Sequence, residues 1–425
     1  MSDADVSYSA KLAVFQKPFI ETAVKDIYYV TASPKNSFSK DSSIEFNIQP
    51  DSLDYIDLSK CRLKVIANIT KAGGAKVTAT NKVTFVNLTL HSLFRQVDLL
   101  LQNKIISPDI STNYGYKAIL DVLLHYGFSS KESQLQSELY FKDIGNMDAI
   151  PGGTNGGIDS RDSFTRTGEN VALEGPLHLD ICQQERPLLN GINLVLKLYQ
   201  HNSQFLLMTH DSEQYKVKIT SASFKICYVK VTNAVRIAQN DVLKVAPSRY
   251  PFWKSSLKTF TCPKGEASFK ADDMFHGHVP TKLIVGMVKS EAYNGSYRYN
   301  PFNFVNERVN FVQFTVNGNS VPQEALQPNF ATGDTVTAFL TLFYNKYPQH
   351  KGNFITRNDY ANGYSLFVFD IQGEADQDIF AVPKESVTKL TLRFAENLNE
   401  NITIIAYGIF PATLYCDYTR SIWWE

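Results

Sequence analysis

The residues best suited to metal chemistry are His276 and His278 in the segment FHGH, which follows Asp272 and Asp273. One residue separates the two histidines, a spacing that places both side chains on one face of a β-strand. Imidazole and carboxylate groups are common zinc ligands, but a site needs three or four of them. No second group of ligands stands nearby in the sequence. We therefore interpret FHGH as ordinary loop or strand histidines and predict neither a metal site nor a cofactor.

The residues best suited to nucleophilic catalysis are Cys182 and His178, which lie four positions apart. A nucleophile and its base must be within hydrogen-bonding distance. The segment reads as a strand, in which four residues span roughly 13 Å, so we do not expect the two side chains to act together. In the segment GEADQD, Asp376 and Asp378 lack the later Gly and Glu of a calcium loop, so we predict a solvated loop there.

No recognised catalytic motif occurs in the sequence. It lacks the G-x-S-x-G nucleophile motif, the G-x-x-x-x-G-K-[ST] phosphate loop and the H-E-x-x-H zinc motif. The segment GGTNGG at 152–157 shows no flanking strand and helix of a dinucleotide-binding site. We therefore predict no catalytic residues and a protein that is not an enzyme.

The bulk composition excludes some classes of protein and favours others. The chain has 425 residues, with 42 Lys and Arg against 42 Asp and Glu, and its formal net charge is zero. This balance argues against sequence-specific nucleic-acid binding through phosphate contacts. The length suggests two domains of about 200 residues each. A neutral chain with 22 Tyr and 28 Phe also has little charge to oppose self-association.

The cysteines and the N-terminal segment suggest where the protein resides. The five cysteines are odd in number and far apart (Cys61, Cys182, Cys227, Cys262 and Cys416). We predict reduced, buried thiols in an intracellular protein rather than a disulfide framework. The segment MSDADVSYSAKLAVF lacks the basic and apolar regions of a signal peptide, and no run is long enough to predict a membrane span.

The aromatic residues admit two interpretations. Rings such as those in YNGSYRYNPFNF at 293–304 could stack on sugars, or they could serve loop packing and subunit contacts, which we favour. Trp423 and Trp424 in the final segment RSIWWE are large apolar rings close to a terminus. We predict that they dock on a neighbouring surface and contribute to a subunit contact.

Most of the chain shows the alternating pattern of antiparallel strands. Residues 192–198, 215–231 and 388–394 alternate apolar and polar or place apolar residues at every second position. Helical spacing predicts a helix at 114–127 that ends with Gly127 as its cap, and a second short helix at 131–141. A further helix at 232–247 is placed between the two halves of the chain. The Gly-rich stretch 150–170 is expected to be a long exposed loop.

The order of these features occurs twice. The segment 97–108, which follows one helical turn, and the segment 312–322 each contain a strand, a turn with Asn, a return strand and Pro. Asn317-Gly318 is a strong hairpin signal. LHLDI at 177–181 and FVFDI at 367–371 then precede strands in both halves. This indicates a tandem duplication of one all-β unit.

The chain resembles the double jelly-roll major capsid protein of Maverick/Polinton elements and the related adintoviruses. The resemblance rests on segments in the family's order that cover most of residues 40–422: LHSLFRQVDLLLQNKIIS, YGYKAILDVLLHYG, LHLDICQQERPLLNGINLVLKL, SRYPFWKSSLKTF, GHVPTKLIVGMV, NPFNFVNERVNFVQFTVNGNSVP and LYCDYTRSI. It implies two eight-stranded antiparallel sandwiches with a few short helices, and three chains in a pseudo-hexameric capsomer. It carries no active-site residues.

The resemblance leads to an expected domain division and function. We expect an N-terminal arm at 1–25, a first jelly roll at 26–231, a linker at 232–250 and a second jelly roll at 251–425. The loops 140–175 and 320–362 should lie at one end of the strands, projecting outward or clasping a neighbouring subunit. The expected function is that of a major capsid protein in an icosahedral shell, assembled inside the host cell. Its partners are other copies of the chain and a penton or minor capsid protein.

Three alternatives remain at the level of sequence. A carbohydrate-binding jelly-roll module would predict a secretory signal and a calcium cluster, and neither is evident. A jelly-roll enzyme would require converging His and carboxylate side chains, for which FHGH is the one weak candidate. A domesticated, element-derived protein that still forms trimers without building a shell would have the same sequence features as a working capsid protein.

Overall fold

The structure is a computed structural model that describes residues 21–36, 43–49, 53–106, 113–343, 352–371 and 385–425. The strands in the first half are β1 Val24–Ala32, β2 Ile44–Ile48, β3 Tyr55–Ile56, β4 Arg62–Lys71, β5 Thr84–Phe85, β6 Phe94–Leu101, β7 Lys104–Ile105, β8 Val171–Pro176, β9 Leu194–Gln200, β10 Leu207–Met208 and β11 Tyr215–Val231. Those in the second half are β12 Ser248–Cys262, β13 Ser268–Asp272, β14 Lys282–Lys289, β15 Val309–Val316, β16 Asn319–Leu326, β17 Leu366–Asp370, β18 Thr388–Phe394, β19 Ile402–Cys416 and β20 Ile422–Trp424.

The helices are short and lie between strands. They are α1 Thr89–Ser92, α2 Tyr114–His125, α3 Phe128–Lys131, α4 Gly156–Thr165, α5 Ser203–Leu206, α6 Asn233–Leu243, α7 Ser290–Asn294, α8 Val336–Leu340 and α9 Arg357–Ala361. Single 3-10 turns occupy 58–60, 134–138, 180–183 and 341–343. Among the described residues, no helix is long and apolar enough to cross a membrane.

The two halves have the same sheet topology. In the first half one sheet has the order β1-β11-β4-β8 and the other β2-β9-β6-β7. In the second half the corresponding orders are β12-β19-β14-β17 and β13-β18-β15-β16. Every strand pair is antiparallel, and described strands pair only within their own half. The chain is therefore all-β and contains two eight-stranded sandwiches in tandem, a double jelly roll, as the sequence predicts.

The core lies between the two sheets of each sandwich. Alternating burial along β4 and β11 places one face of each strand in the core and the other toward solvent. The predicted hairpins are both present, at β6–β7 and at β15–β16. Gln102, Asn103, Asn317 and Gly318 all have positive φ, which is the backbone that a tight two-residue hairpin turn requires.

Some elements differ from the expectations. Helix α2 ends at His125, and Gly127 has φ −83°, so Gly127 is not a left-handed cap. The predicted helix at 131–141 is replaced by α3 and the 3-10 turn at 134–138. LHLDI is not a strand, because the position equivalent to β17 is taken by β8 at the edge of the first sheet. Helix α6 lies between β11 and β12, where a linker is expected.

The expected N-terminal arm lies mostly outside the described residues, since the structure describes it only from residue 21. Residues 24 and 25 belong to β1, which pairs with β11, so the arm as predicted overlaps the first strand. The predicted solvated loop at 373–378 also lies outside the described residues. The loop 320–362 is described only in part, without residues 344–351.

The prediction of a long exposed loop at 150–170 is wrong, because helix α4 occupies its centre. Asn155 caps this helix by accepting hydrogen bonds from the backbone N–H groups of Gly157 and Ile158. Arg161 is fully buried, donates to the carbonyls of Phe85 and Phe141, and pairs with Asp143 at 2.8 Å. The Gly, Ser and Thr content thus reflects a capped, closely packed helix.

We expect Arg161→Met to lower the free energy of unfolding by about 3–5 kcal/mol. The substitution leaves the buried carboxylate of Asp143 without its cation. Arg166→Met, on the same helix, is the control. Its pair with Asp162 has a half-exposed arginine, so the expected cost is below about 1 kcal/mol. Urea denaturation measures the free energy of unfolding of both variants. Equal losses in Arg161→Met and Arg166→Met would contradict the structural role given to Arg161.

Candidate functional site

A buried polar cluster joins the two sandwiches, and helix α2 places its central residues. Lys117 and Asp121 lie four residues apart on α2, a spacing that puts both on one face of the helix. The residues around them are apolar and buried, from Tyr114 to Leu124. The helix therefore lies inside the protein and carries an ion pair with it.

Asp121 is the centre of this cluster. Its Oδ2 is 2.5 Å from Lys117 Nζ, 3.0 Å from Gln183 Nε2 and 3.3 Å from His178 Nδ1. Its Oδ1 accepts a hydrogen bond of 3.1 Å from the hydroxyl of Tyr407, which lies on β19 of the second half. One carboxylate therefore binds groups from four segments and both sandwiches.

Asp180 extends the cluster into the second half along β12. It accepts hydrogen bonds from the backbone N–H and the hydroxyl of Ser255, at 2.8 and 2.6 Å. Its other contact is with Lys117 Nζ at 3.3 Å. Lys117 thus bridges two buried carboxylates, and each carboxylate contacts a different strand of the second sandwich.

Burial raises the pKa values of Asp121 and Asp180, and the neighbouring positive charge of Lys117 lowers them. Burial alone would raise the pKa of Asp121, but the adjacent Lys117 and the hydrogen bond from His178 outweigh it and hold the pKa well below its usual range. At Asp180, burial dominates and raises the pKa despite Lys117 and Ser255. Burial also raises the pKa of Tyr407 well above its ordinary value, so its hydroxyl remains a donor.

A second set of contacts joins two long insertions, one between β7 and β8 and the other between β16 and β17. Lys142 Nζ is 2.6 Å from Asp359 Oδ2 and lies over the ring of Phe354 at 4.2 Å. The hydroxyl of Tyr364 donates to the carbonyl of Asp143 at 2.8 Å. The described parts of the predicted loops 140–175 and 320–362 therefore pack on each other within one chain.

Three potential ligands meet beside Asp121. His91, Glu138 and His178 each place a ligating atom within 4.8 Å of the others, and all three are buried. His91 Nε2 is 3.0 Å from Glu138 Oε2. Burial lowers the pKa of His91, which favours its neutral form. The sequence gives no signal of this cluster, because its members lie 40 or more residues apart in sequence and on different elements.

The other candidate residues are not brought together in this way. Cys182 lies in the turn at 180–183, and burial raises the pKa of its thiol far above its ordinary value, so it is no nucleophile. All five cysteines are free and buried, as predicted for thiols. His276 lies in a turn and has a left-handed backbone with φ 54°, whereas His278 forms an isolated antiparallel β-bridge with Glu385.

The two terminal tryptophans form a strand on their own chain. Trp423 and Trp424 belong to β20, which pairs with β19, and Trp423 stacks on Tyr415 with a centroid distance of 5.5 Å. Both rings are half-buried. Their predicted role in a subunit contact stays a prediction, to which each can contribute its exposed part.

An open cleft of about 540 Å³ lies between the two insertions and β18–β19. The described residues that line it are mainly polar, including Asn146, Asn306, Glu307 and Asn397, and none of them is aromatic. Sugar-binding sites rely on aromatic faces for stacking. The cleft therefore gives no support to the carbohydrate-binding alternative.

Eight of the fifteen exposed large apolar side chains of the described residues lie on strand β1, helix α6 and segments next to them. Helix α6 contacts the first half through Gln239, which accepts a hydrogen bond from Tyr55, and the C-terminal segment through Asn240, which lies 3.4 Å from Arg420. Strand β1 is an edge strand. We call the exposed apolar residues on these and the adjoining segments the junction surface: Ile27, Tyr29, Val30, Leu53, Ile237, Val242, Val245 and Tyr418.

The fold is shared with proteins from viruses. A chain of the Sputnik virophage, determined by cryo-EM, has a TM-score of 0.66 and 13% identity over 100% of this chain and 93% of that chain. The mavirus major capsid protein has a TM-score of 0.56 and 12% identity, covering 100% and 96%. The Faustovirus major capsid protein has a TM-score of 0.58 and 9% identity, covering 95% and 92%. These likenesses show the fold over essentially the whole chain.

A relative is also found by sequence. An uncharacterized protein of Caenorhabditis elegans is 26% identical over 429 residues, which covers 95% of this chain and 98% of that protein. No protein-family model matches the chain. The alignment therefore spans nearly the whole length of both chains.

We expect Tyr407→Phe to lower the free energy of unfolding by about 1–2 kcal/mol, because Asp121 loses a buried hydrogen-bond donor from the second sandwich. Tyr415→Phe is a matched control on the same strand, with a half-buried ring that stacks on Trp423. Urea denaturation followed by tryptophan fluorescence compares the two variants. If Tyr415→Phe lowers the free energy of unfolding as much as Tyr407→Phe does, the buried cluster has no special role in stability.

The pair of Asp359 and Lys142 predicts a dependence of stability on pH. Burial would raise the pKa of Asp359, but hydrogen bonds from Lys142 and Thr356 outweigh it and lower the pKa below 3.8. A lowered folded-state pKa contributes stability that is fully present above the unfolded value and is lost as the pH falls through the folded value.

The stability difference between the wild type and Asp359→Asn should therefore be constant from pH 7 to about pH 5 and shrink below about pH 4. Urea midpoints at each pH measure it. Asp272→Asn is the control, because its pair with Lys389 is exposed and should contribute little at any pH. A difference for Asp359→Asn that does not change with pH would contradict the assignment.

Proposed function

We propose that this chain is a structural major capsid protein that forms homotrimers, and that each trimer is a pseudo-hexameric capsomer of an icosahedral shell. The observation that carries the proposal is the duplicated eight-stranded topology across the whole chain. Three copies of a chain with two similar sandwiches place six similar units around a threefold axis. A near-hexagonal outline allows close lateral packing from one gene product.

The likeness to virophage, mavirus and Faustovirus chains supports this proposal at the level of fold. The segments that resemble Maverick/Polinton capsid proteins support the finer assignment to an element of that type. A nematode relative of equal length fits a gene carried by an element in an animal genome. It fits equally a domesticated descendant that forms trimers without a shell.

The chemistry of the chain supports a structural rather than a catalytic role. Buried Asp121 and Asp180 join the two sandwiches through Tyr407 and Ser255, and the five cysteines are buried and free. Reduced thiols fit assembly inside the host cell. Other copies of the chain and a penton or minor capsid protein are the proposed partners.

The junction surface is the proposed contact between chains within a trimer. Ile237 and Val242 are 60% and 64% exposed, and Tyr29 on the edge strand β1 is 53% exposed. Exposed apolar groups concentrated in one region mark interaction sites. An unpaired edge strand is also a surface on which another chain can pair. The partly exposed Trp423 and Trp424 can add aromatic area to this contact.

The first test is the solution mass of the purified chain by light scattering on a sizing column. A trimer of chains of 47.9 kDa has a mass of about 144 kDa, three times the monomer. We expect the trimer at micromolar concentration, with electron microscopy of shells as the next step. A monomer under these conditions would overturn the proposal.

The contact surface is tested by the double variant Ile237→Lys and Val242→Lys. Both side chains are exposed, so the fold should be retained while two buried charges would oppose assembly. We expect a monomer of about 48 kDa. Val387→Lys, at a position that is 62% exposed in the second half, is the control and should remain trimeric. A trimer in the double variant would exclude this surface as the contact.

A further inference from the structure

The cluster of His91, Glu138 and His178 has the composition of a metal site. His91 lies on α1, Glu138 in the 3-10 turn at 134–138, and His178 just after β8. One ligating atom from each lies within 4.8 Å of the others. The three side chains are at most 3% exposed. Three separate elements thus direct two imidazoles and one carboxylate to one buried point.

In both histidines the Nδ1 atom contacts an oxygen atom, as the non-ligating nitrogen does in metal sites. His91 Nδ1 lies 2.9 Å from the hydroxyl of Tyr114, and His178 Nδ1 lies 3.3 Å from Asp121 Oδ2. In metalloproteins a ligating histidine uses its other nitrogen to bind a carboxylate or another oxygen, which fixes the ring orientation. Both rings here have that support, and both Nε2 atoms face the cluster, His91 Nε2 in contact with Glu138 and His178 Nε2 without a partner among the described residues.

The Nε2 atom of His178 has no hydrogen-bond partner in the described part of the chain, although it is buried. A buried polar atom without a hydrogen-bond partner destabilises the folded state, because it loses its contacts with water and gains none in return. His91 Nε2 contacts Glu138 Oε2 at 3.0 Å, so the Glu138 carboxylate already lies beside one of the two nitrogens that would bind the metal. A metal ion bound between the three side chains would satisfy the orphan nitrogen.

The surrounding charges also favour a cation. Glu138, Asp121 and Asp180 are buried carboxylates, and Lys117 is the buried cation that pairs with the last two. Three carboxyl groups thus lie close to a single buried lysine, and carboxylate oxygens are ligands for divalent cations.

We propose that His91, Glu138 and His178 bind one zinc ion that has a structural role. Zinc bonds to imidazole and carboxylate are about 2.0–2.2 Å long, which places tetrahedral donor atoms about 3.4 Å from one another. His91 Nε2 and Glu138 Oε2 are 3.0 Å apart, and all three ligating atoms lie within 4.8 Å of one another. Both oxygens of Glu138 can bind the ion, which gives four donor atoms. This inference replaces the expectation from sequence of no metal site, and it does not depend on the proposed capsid role.

The ion would hold three segments of the first sandwich together beside its contact with the second. His178 also contacts Asp121, which accepts the hydrogen bond from Tyr407. The metal would therefore fix the position of Asp121 and strengthen the junction between the halves. Its burial means that it must be bound during folding rather than by diffusion into the folded protein.

The experiment starts from wild-type protein purified without an affinity tag that binds metal and without chelator. Elemental mass spectrometry should find about one zinc per chain. The protein is then unfolded in urea with chelator, freed of both, and refolded with Co²⁺. We expect the visible absorption bands of four-coordinate cobalt, without the near-ultraviolet bands that cysteine thiolates would add.

Substitutions then test the ligands. His178→Gln and Glu138→Gln should each lower the zinc content at least tenfold. The control is the double variant His276→Gln and His278→Gln, which removes the exposed histidines of FHGH and should retain its zinc. Circular dichroism checks the fold of each variant. Because zinc content is measured per chain, the result is independent of oligomeric state.

Three results would overturn the proposal. The first is wild-type protein that contains less than about 0.1 zinc per chain and shows no cobalt bands after refolding. The second is cobalt with thiolate bands, which would place the metal at cysteines. The third is unchanged zinc content in folded His178→Gln. If that variant does not fold, the cobalt spectrum of the wild type decides.

Discussion

Asp121 is a carboxylate buried between two β-sandwiches, and protein groups must replace the water that would otherwise solvate it. Moving an ion from water to a protein interior costs several kcal/mol unless partners with good geometry surround it. Here Lys117, Gln183, His178 and Tyr407 provide those partners from both halves. The relative position of the sandwiches is therefore tied to this one carboxylate, because separating them would remove the donor from β19.

The duplication explains how such a junction arises between two similar units. Each sandwich carries an insertion between equivalent strands, after β7 in the first half and after β16 in the second. The first insertion contains α2, and the two insertions meet through Lys142 and Asp359. The sheets repeat one topology, whereas the insertions differ in length and join the repeats. The halves also differ in short additional strands, which are β3, β5 and β10 in the first half and β20 in the second.

The sequence predicts what depends on local chemistry and misses what depends on distant contacts. The hairpin at Asn317-Gly318 is predicted because a two-residue turn with positive φ is specified by its own residues. Helix α4 is missed because its Gly and Ser content is typical of loops, and its stability comes from Arg161 binding groups 18 to 76 residues away. The cluster of His91, Glu138 and His178 is missed for the same reason. Each residue alone resembles an ordinary polar residue, and only the fold brings them to one point.

The polar character of the junction bears on the proposed role. Apolar residues of equal volume could have joined the sandwiches with equal or greater stability, but apolar contacts are non-directional and allow several relative orientations of similar energy. Hydrogen bonds from Ser255 to Asp180 and from Tyr407 to Asp121 require particular distances and angles. In a pseudo-hexameric capsomer the angle between the two sandwiches sets the outline of the trimer, and every lateral contact in the lattice depends on that outline. A buried, directional junction is thus suited to the proposed capsomer, in which three subunits of two sandwiches each would present six nearly equal edges.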